Sequence, residues 1–243
     1  MKSFAQGSRY LFQGFALIRR PRLRRFVLIP LLVNLLLFGG LTYAAVGWIE
    51  HLVNWLMGYL PKWLDWLSYL AWPVFVVLGL VVVFYGFSVV ANLIASPFNG
   101  LLAEMVEKEL TGKPLQSSWR QVLRDALPAF WGEFRKMLYF ALRAAPLGLL
   151  FLIPGVNLAA PVLWTLFSGW MMAIQYVDYP MGNHSLFFRD QRARLRRNRL
   201  QALGFGLTTL LLTLTPVLNF FVMPAAIAGA TAMWVKSAEY HRE

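Results

Sequence analysis

The residues best suited to chemistry gather near the start of the chain. Arg19, Arg20, Arg22, Arg24 and Arg25 put five guanidinium groups into seven positions of RRPRLRRFVLIPLLVN, residues 19–34. A guanidinium is planar and always charged, and its fork of N–H donors suits an oxyanion such as sulfate or phosphate. Pro21 interrupts the run, so LRRF is expected to open a new helix, where unpaired N–H groups and the helix dipole favour an anion. A topology signal accounts for the same charge without a ligand, because basic residues beside an apolar run hold that end of the chain in the cytoplasm. Lysine would serve topology equally well. The exclusive use of arginine favours an anion site as well.

Little else in the chain invites chemistry. Cysteine is absent, which excludes thiol catalysis, disulfides and thiolate metal sites. His51, His184 and His241 fall in separate segments, so no histidine metal site is expected. No nucleophile–base constellation and no glycine-rich nucleotide loop appears, so neither an enzyme nor a cofactor is expected. Asn34 and Asn92 interrupt apolar segments, and Ser96 and Asn99 stand in SPFNG. These four could line an anion path or its exit. The plainer reading gives the asparagines helix–helix hydrogen bonds and lets Pro97 and Gly100 end a helix. In DYPMGNH, Asp178 and His184 could relay protons, although a cap and a surface histidine are the simpler roles. RDQRARLRRNR reads as a helix facing solvent or lipid head groups.

These residues sit in a chain suited to a membrane. Of 243 residues, 58% are hydrophobic and 14% charged, against roughly a quarter charged in soluble domains. Runs free of Asp, Glu, Lys and Arg cover 26–49, 66–103, 144–177 and 200–235, which are 24, 38, 34 and 36 residues. A spanning helix needs about 20. The first run follows an Arg-rich segment and is too long for a signal-peptide core, so no cleaved leader is expected. A net charge of +12 needs no nucleic acid as partner if the basic loops are cytoplasmic. Of the 23 Lys and Arg, seven lie in 1–25, one (Lys62) in 49–72, seven in 96–143, six in 178–202 and two in 236–243. A multi-pass membrane protein is expected, with both termini cytoplasmic and the 49–72 loop outside. Trp48, Trp55, Trp63, Trp66 and Trp72 gather in that loop with Tyr59 and Tyr69, as interfacial aromatics do.

One all-α membrane domain, 1–243, is therefore expected. It would comprise an interfacial helix over 1–20, with Phe4, Leu11, Phe15 and Ile18 on one face. Spans follow over 24–48 and 72–95, joined by an outer interfacial helix over 49–71. A cytoplasmic αα-hairpin takes 98–143, and two Pro-broken hairpins take 144–177 and 203–235. Each of those two runs leaves and rejoins a basic cytoplasmic segment, and two crossings plus a turn need about 40 residues. Pro154 and Pro161 break the first, Pro216 and Pro224 the second, with Asn157 and Asn219 similarly placed. Both hairpins should penetrate only part of the bilayer, their turns shielded from lipid. Paired broken helices also point to a substrate path, as in transporters. Within 98–143, Gly112 stops a helix ahead of Pro114, and Ser118 with Gln121 fits a capping box. Trp119, Val122, Leu123, Ala126, Leu127, Phe130, Phe134, Met137 and Leu138 form an apolar stripe. Internal packing is its first reading and a subunit interface the second.

PRLRRFVLIPLLVN, ANLIASPFNGLLAEMVEKELTG and MMAIQYVDYPMGNH, in this order, resemble the bacterial CysZ family of inner-membrane sulfate-uptake proteins. The resemblance implies a sulfate permease or channel supplying cysteine biosynthesis. It also implies two long spans, two half-penetrating hairpins and a homo-oligomer embedded in membrane lipids. The family's sulfate-binding Gly-Leu-Arg-Arg motif falls on Arg22, Leu23, Arg24 and Arg25, with Arg22 where glycine is common. Sulfite and thiosulfate are alternative cargoes. The competing reading is a non-transporting membrane scaffold whose arginines bind anionic lipid head groups.

Overall fold

The computed structural model describes residues 2–59, 66–113 and 119–240, and within them the chain is helical with no strand. Helix α1 spans Lys2–Ile18, α2 Pro21–Met57, α3 Leu67–Thr111 and α4 Trp119–Leu149. Then come α5 at Ala160–Gly182, α6 at Phe188–Arg197, α7 at Arg199–Thr213 and α8 at Pro216–Tyr240, with 3-10 turns at Leu150–Leu152 and Val156–Leu158 before α5. Among the described residues, Pro21–Leu56, Val156–Gly182 and Pro216–Ser237 are long and apolar enough to cross a membrane. The chain is an all-α membrane protein.

It divides into two compact units, one of residues 1–27 with 99–243 and one of residues 28–98. The core of the first is set by backbone approach. Helix α1 packs on α7 and α8, and α5 packs on the same pair. A Cβ added at Gly7 would overlap the Gln201 carbonyl, and one at Gly14 the Ala225 carbonyl. Gly204 meets Phe4, Gly229 meets Tyr10, and Gly206 lies against the Gly169 carbonyl in the same way. Lipid tails are as apolar as leucine, so membrane helices associate through such close van der Waals contact between small residues. A polar clasp accompanies the α1–α7 crossing: Thr208 Oγ1 donates to Ser8 Oγ at 2.8 Å, and Ser8 to the Gly204 carbonyl at 3.3 Å. Helix α1 is thus a strut of the core. Leu11 and Ile18 are buried, while Phe4 at its start is exposed.

In the second unit α2 and α3 pack on each other. Phe38 meets Phe87 edge-on at 5.1 Å between ring centres, and Ile49 fills the space a side chain at Gly79 would take. Leu32, Leu35, Val77 and Leu80 point outward, as lipid-facing residues do. Trp48, Trp55, Tyr59, Trp66, Tyr69 and Trp72 are also exposed.

Several expected boundaries differ. No separate helix occupies 49–71 among the described residues. Residues 49–57 complete α2 and 67–71 begin α3, because no Gly or Pro interrupts IEHLVNWLM before Gly58; Lys62 and Trp63 lie outside the described residues. SPFNG does not end a helix, since α3 continues through Pro97 and Gly100 to Thr111; a proline deletes one helical hydrogen bond, and neighbouring turns carry the helix past it. The stop comes at Gly112, whose φ of +70° favours glycine. Ser118 lies outside the described residues, so the capping box does too. The first Pro-broken run also begins differently, because α4 carries on to Leu149 before the chain turns at Pro154 and Gly155. In the second, Pro216 opens α8 and Pro224 lies inside it without ending it. The α4 stripe is outward: Leu127, Phe130, Phe134, Met137 and Leu138 are exposed, and the buried line is Gly132, Lys136 and Tyr139. Arg124, Glu133, Arg135 and Arg143 are exposed on the same helix, so its outward side mixes apolar and charged residues.

Candidate anion site and polar network

Helix α1 ends at Ile18 and α2 begins at Pro21, so the arginine run is the turn between them. Leu23 and Val27, one helical turn apart, are buried in the core. They peg the first turn of α2 and leave Arg22, Arg24 and Arg25 on its exposed side. The Arg20 carbonyl accepts the N–H groups of Leu23 and Arg24, each at 3.0 Å. Amides expected to be free for an anion are thus largely used within the turn, and the turn presents guanidinium rather than backbone.

Glu109 of α3 divides the cluster. Its carboxylate accepts from Arg20 Nη1 at 3.1 Å and stands 3.6 Å from Arg22 Nη1. Arg24 and Arg25 have no carboxylate partner among the described residues, and Arg25 lies 5.0 Å from the centre of the Phe26 ring. Two uncompensated, outward guanidiniums beside two anchored ones can bind an oxyanion by charge-assisted hydrogen bonds.

The other sequence candidates are placed differently. Asn99 Nδ2 donates to the Tyr179 hydroxyl at 3.4 Å and Asn183 Nδ2 to the Gly100 carbonyl at 3.0 Å, tying α3 to the end of α5. In the 28–98 unit, Asn34 Oδ1 is buried with no hydrogen-bond partner among the described residues. Asn92 and Ser96 belong to α3, but their side chains lie outside the described residues. Of these four, only Asn99 belongs to the unit that carries the arginines.

Sequence reading underweighted a second polar group. Lys136, whose side chain is 7% exposed, holds Glu133 at 2.6 Å and Asp178 at 2.9 Å. Fully buried Gln191 donates to Asp178 and, at 2.9 Å, to the Leu186 carbonyl. Burial raises the Glu133 carboxyl, and the negative charge of Asp178 adds to the rise against the pull of Lys136. Burial also opposes charge on Lys136, but Asp178 and Glu133 outweigh it, so the ammonium is held above its ordinary value. His184 is neither exposed nor alone: its Nε2 meets Glu107 at 2.8 and 3.0 Å, and its ring lies 5.4 Å from Trp234. Asp178 and His184 thus have separate partners and form no relay with each other. The available signal was the i, i+3 spacing of Glu133 and Lys136 on one helix.

Residues 10–224 match the family described as Sulfate transporter CysZ/Etoposide-induced protein 2.4. The chain belongs to this family. Its long apolar helices accord with the transporter that the family description names. The resemblance places glycine at the first motif position of the CysZ family, where this chain has Arg22. The φ of Arg22 is not positive, so the α2 start imposes no conformation reserved for glycine.

Proposed function

We propose that this protein is a sulfate permease of the bacterial inner membrane, passing sulfate inward for cysteine biosynthesis, with its anion site at the α1–α2 turn. The division of the arginine cluster by Glu109 carries the reading. Arg24 and Arg25 supply uncompensated donor forks, Arg22 adds charge from its place against Glu109, and buried Leu23 pegs the turn. Asn34 and Asn92 would offer amide donors along the path, and Ser96 and Asn99 would serve near its cytoplasmic end. Both termini are cytoplasmic in this reading, and the two hairpins enter the bilayer partway. The outward stripe of α4 meets lipid or another copy in a homo-oligomer.

Sulfate is a dianion, and entering an inside-negative cell works against about 2.3 kcal/mol per charge per 100 mV. At 100 mV that is about 4.6 kcal/mol, or roughly a thousandfold in concentration. A passive path therefore fills the cell only while sulfate is consumed inside. The test is radiolabelled sulfate uptake into proteoliposomes by wild type and Arg24→Ala/Arg25→Ala, with sulfite and thiosulfate as competitors. Saturable uptake lost in the variant, at unchanged elution on gel filtration, supports the reading. Equal uptake by both proteins overturns the site, and no uptake by either overturns the permease.

A further inference from the structure

A cavity of about 470 Å³ opens among α1, α5, α6, α7 and the end of α8, within the unit of residues 1–27 and 99–243. Its volume falls in the range of small-molecule sites, about 300–1,000 Å³. Helix α6 makes one wall. Leu195 is buried, which turns Arg194 and Arg197, three positions apart, toward the cavity lining. Lys236 of α8 is a third cation in the lining, and none of the three is paired with a carboxylate among the described residues. An adjoining cavity of about 550 Å³ shares Gln6, Tyr10 and Lys236 and adds Arg9. The floor is apolar, with Met181, Met233 and Trp234. The Arg194 guanidinium stands 4.9 Å from the centre of the Trp234 ring, so that aromatic face and one cation are already held together.

Positive charge at the rim and an oily, aromatic floor are complementary to one kind of ligand. A bare oxyanion would use the rim and leave the floor empty, whereas an apolar molecule would leave the cations unmatched. We propose that this cavity binds an organic phosphate, its phosphoryl oxygens on Arg194, Arg197 and Lys236 and its organic body on Trp234 and Met233. The site is separate from the α1–α2 turn and does not rest on the transport reading. Its phosphate could be carried by an anionic lipid or by a soluble phosphoester, since both present the same chemistry. The run RDQRARLRRNR then has a specific task for two of its arginines.

Calorimetry on the purified full chain tests this. The probes are adenosine monophosphate, water-soluble dihexanoyl phosphatidylglycerol, and dihexanoyl phosphatidylcholine as the control with the same chains and no net charge. Wild type is compared with Arg197→Gln/Lys236→Gln and with Trp234→Phe, each checked by gel filtration. The expected result is saturable binding of one of the two anionic probes, one per chain, weakened at least about tenfold by the double substitution and less by Trp234→Phe. Preference for the glycerol lipid assigns the site to the membrane, and preference for the nucleotide assigns it to a soluble metabolite. Binding of neither probe, equal affinity for phosphatidylcholine, or equal binding by the double variant overturns the proposal. If that variant is misfolded, charge reversal at Arg197 alone, Arg197→Glu, replaces it, and unchanged affinity there has the same meaning.

Discussion

Lys136 should be the most consequential single charge in the described core. Replacing it by methionine preserves volume and leaves Asp178 and Glu133 without the ammonium at 2.9 and 2.6 Å. Removing one member of a buried ion pair costs about 3–5 kcal/mol. The Asp178 side chain is 29% exposed and Glu133 53%, and Gln191 still donates to Asp178, so the expected cost falls to about 2–3 kcal/mol. Equilibrium unfolding in mixed micelles, followed by tryptophan fluorescence, measures it. Lys136→Met/Asp178→Asn should be less damaging than Lys136→Met alone, because the stranded charge goes with the lysine. A single-variant cost near zero, or a double variant at the sum of both singles, would refute the buried-network account.

Other outcomes follow from the same geometry. Lys136 is held above its ordinary value of 10.5, so its stabilising contribution is complete below that pH and disappears as pH rises through the folded-state value; the gap between wild type and Lys136→Met should narrow in strongly alkaline buffer. Burial raises the Glu133 carboxyl too, so its linkage runs the same way, with stability lost as pH rises through its folded-state value; Glu133→Gln should leave unfolding at pH 7 unchanged or slightly improved. Gly206→Ala drives a methyl into the Gly169 carbonyl and should cost about 1–3 kcal/mol in the same assay. Glu109→Gln releases Arg20 and Arg22 and should tighten sulfate binding up to about fivefold by calorimetry, the scale of an exposed ion pair. Arg22→Gly, which restores the residue common in the family, should stay within about threefold of wild type, because Arg22 is exposed and already paired.

The membrane class and the helical content were legible because charge-free runs are a direct consequence of the solvent the chain must enter. Gly112 was legible too, since a positive φ at a helix end selects glycine. Helix lengths were less so. Proline and glycine in SPFNG signal a stop in water, but a helix with little competing solvation runs through them. The arginine turn stood out by composition, yet its division by Glu109 joins positions some ninety residues apart and has no local pattern. Lys136 with Asp178 was hidden for the same reason. The α4 stripe was visible as a stripe; its direction was not, because apolar residues face inward in water and outward in lipid.

The crossing of α1 with α7 and α8 also bears on how the chain is made. Ser8 and its partner Thr208 are 200 residues apart. At about 5–20 residues per second of synthesis, α1 waits roughly 10–40 s for α7 to exist. During that interval its glycine face and Leu11 have no protein to cover them. The nascent α1 must be sheltered by the bilayer surface or a chaperone, and the core closes only when the last helices arrive. Truncations that remove α7 and α8 together should therefore leave the first helix without its cover.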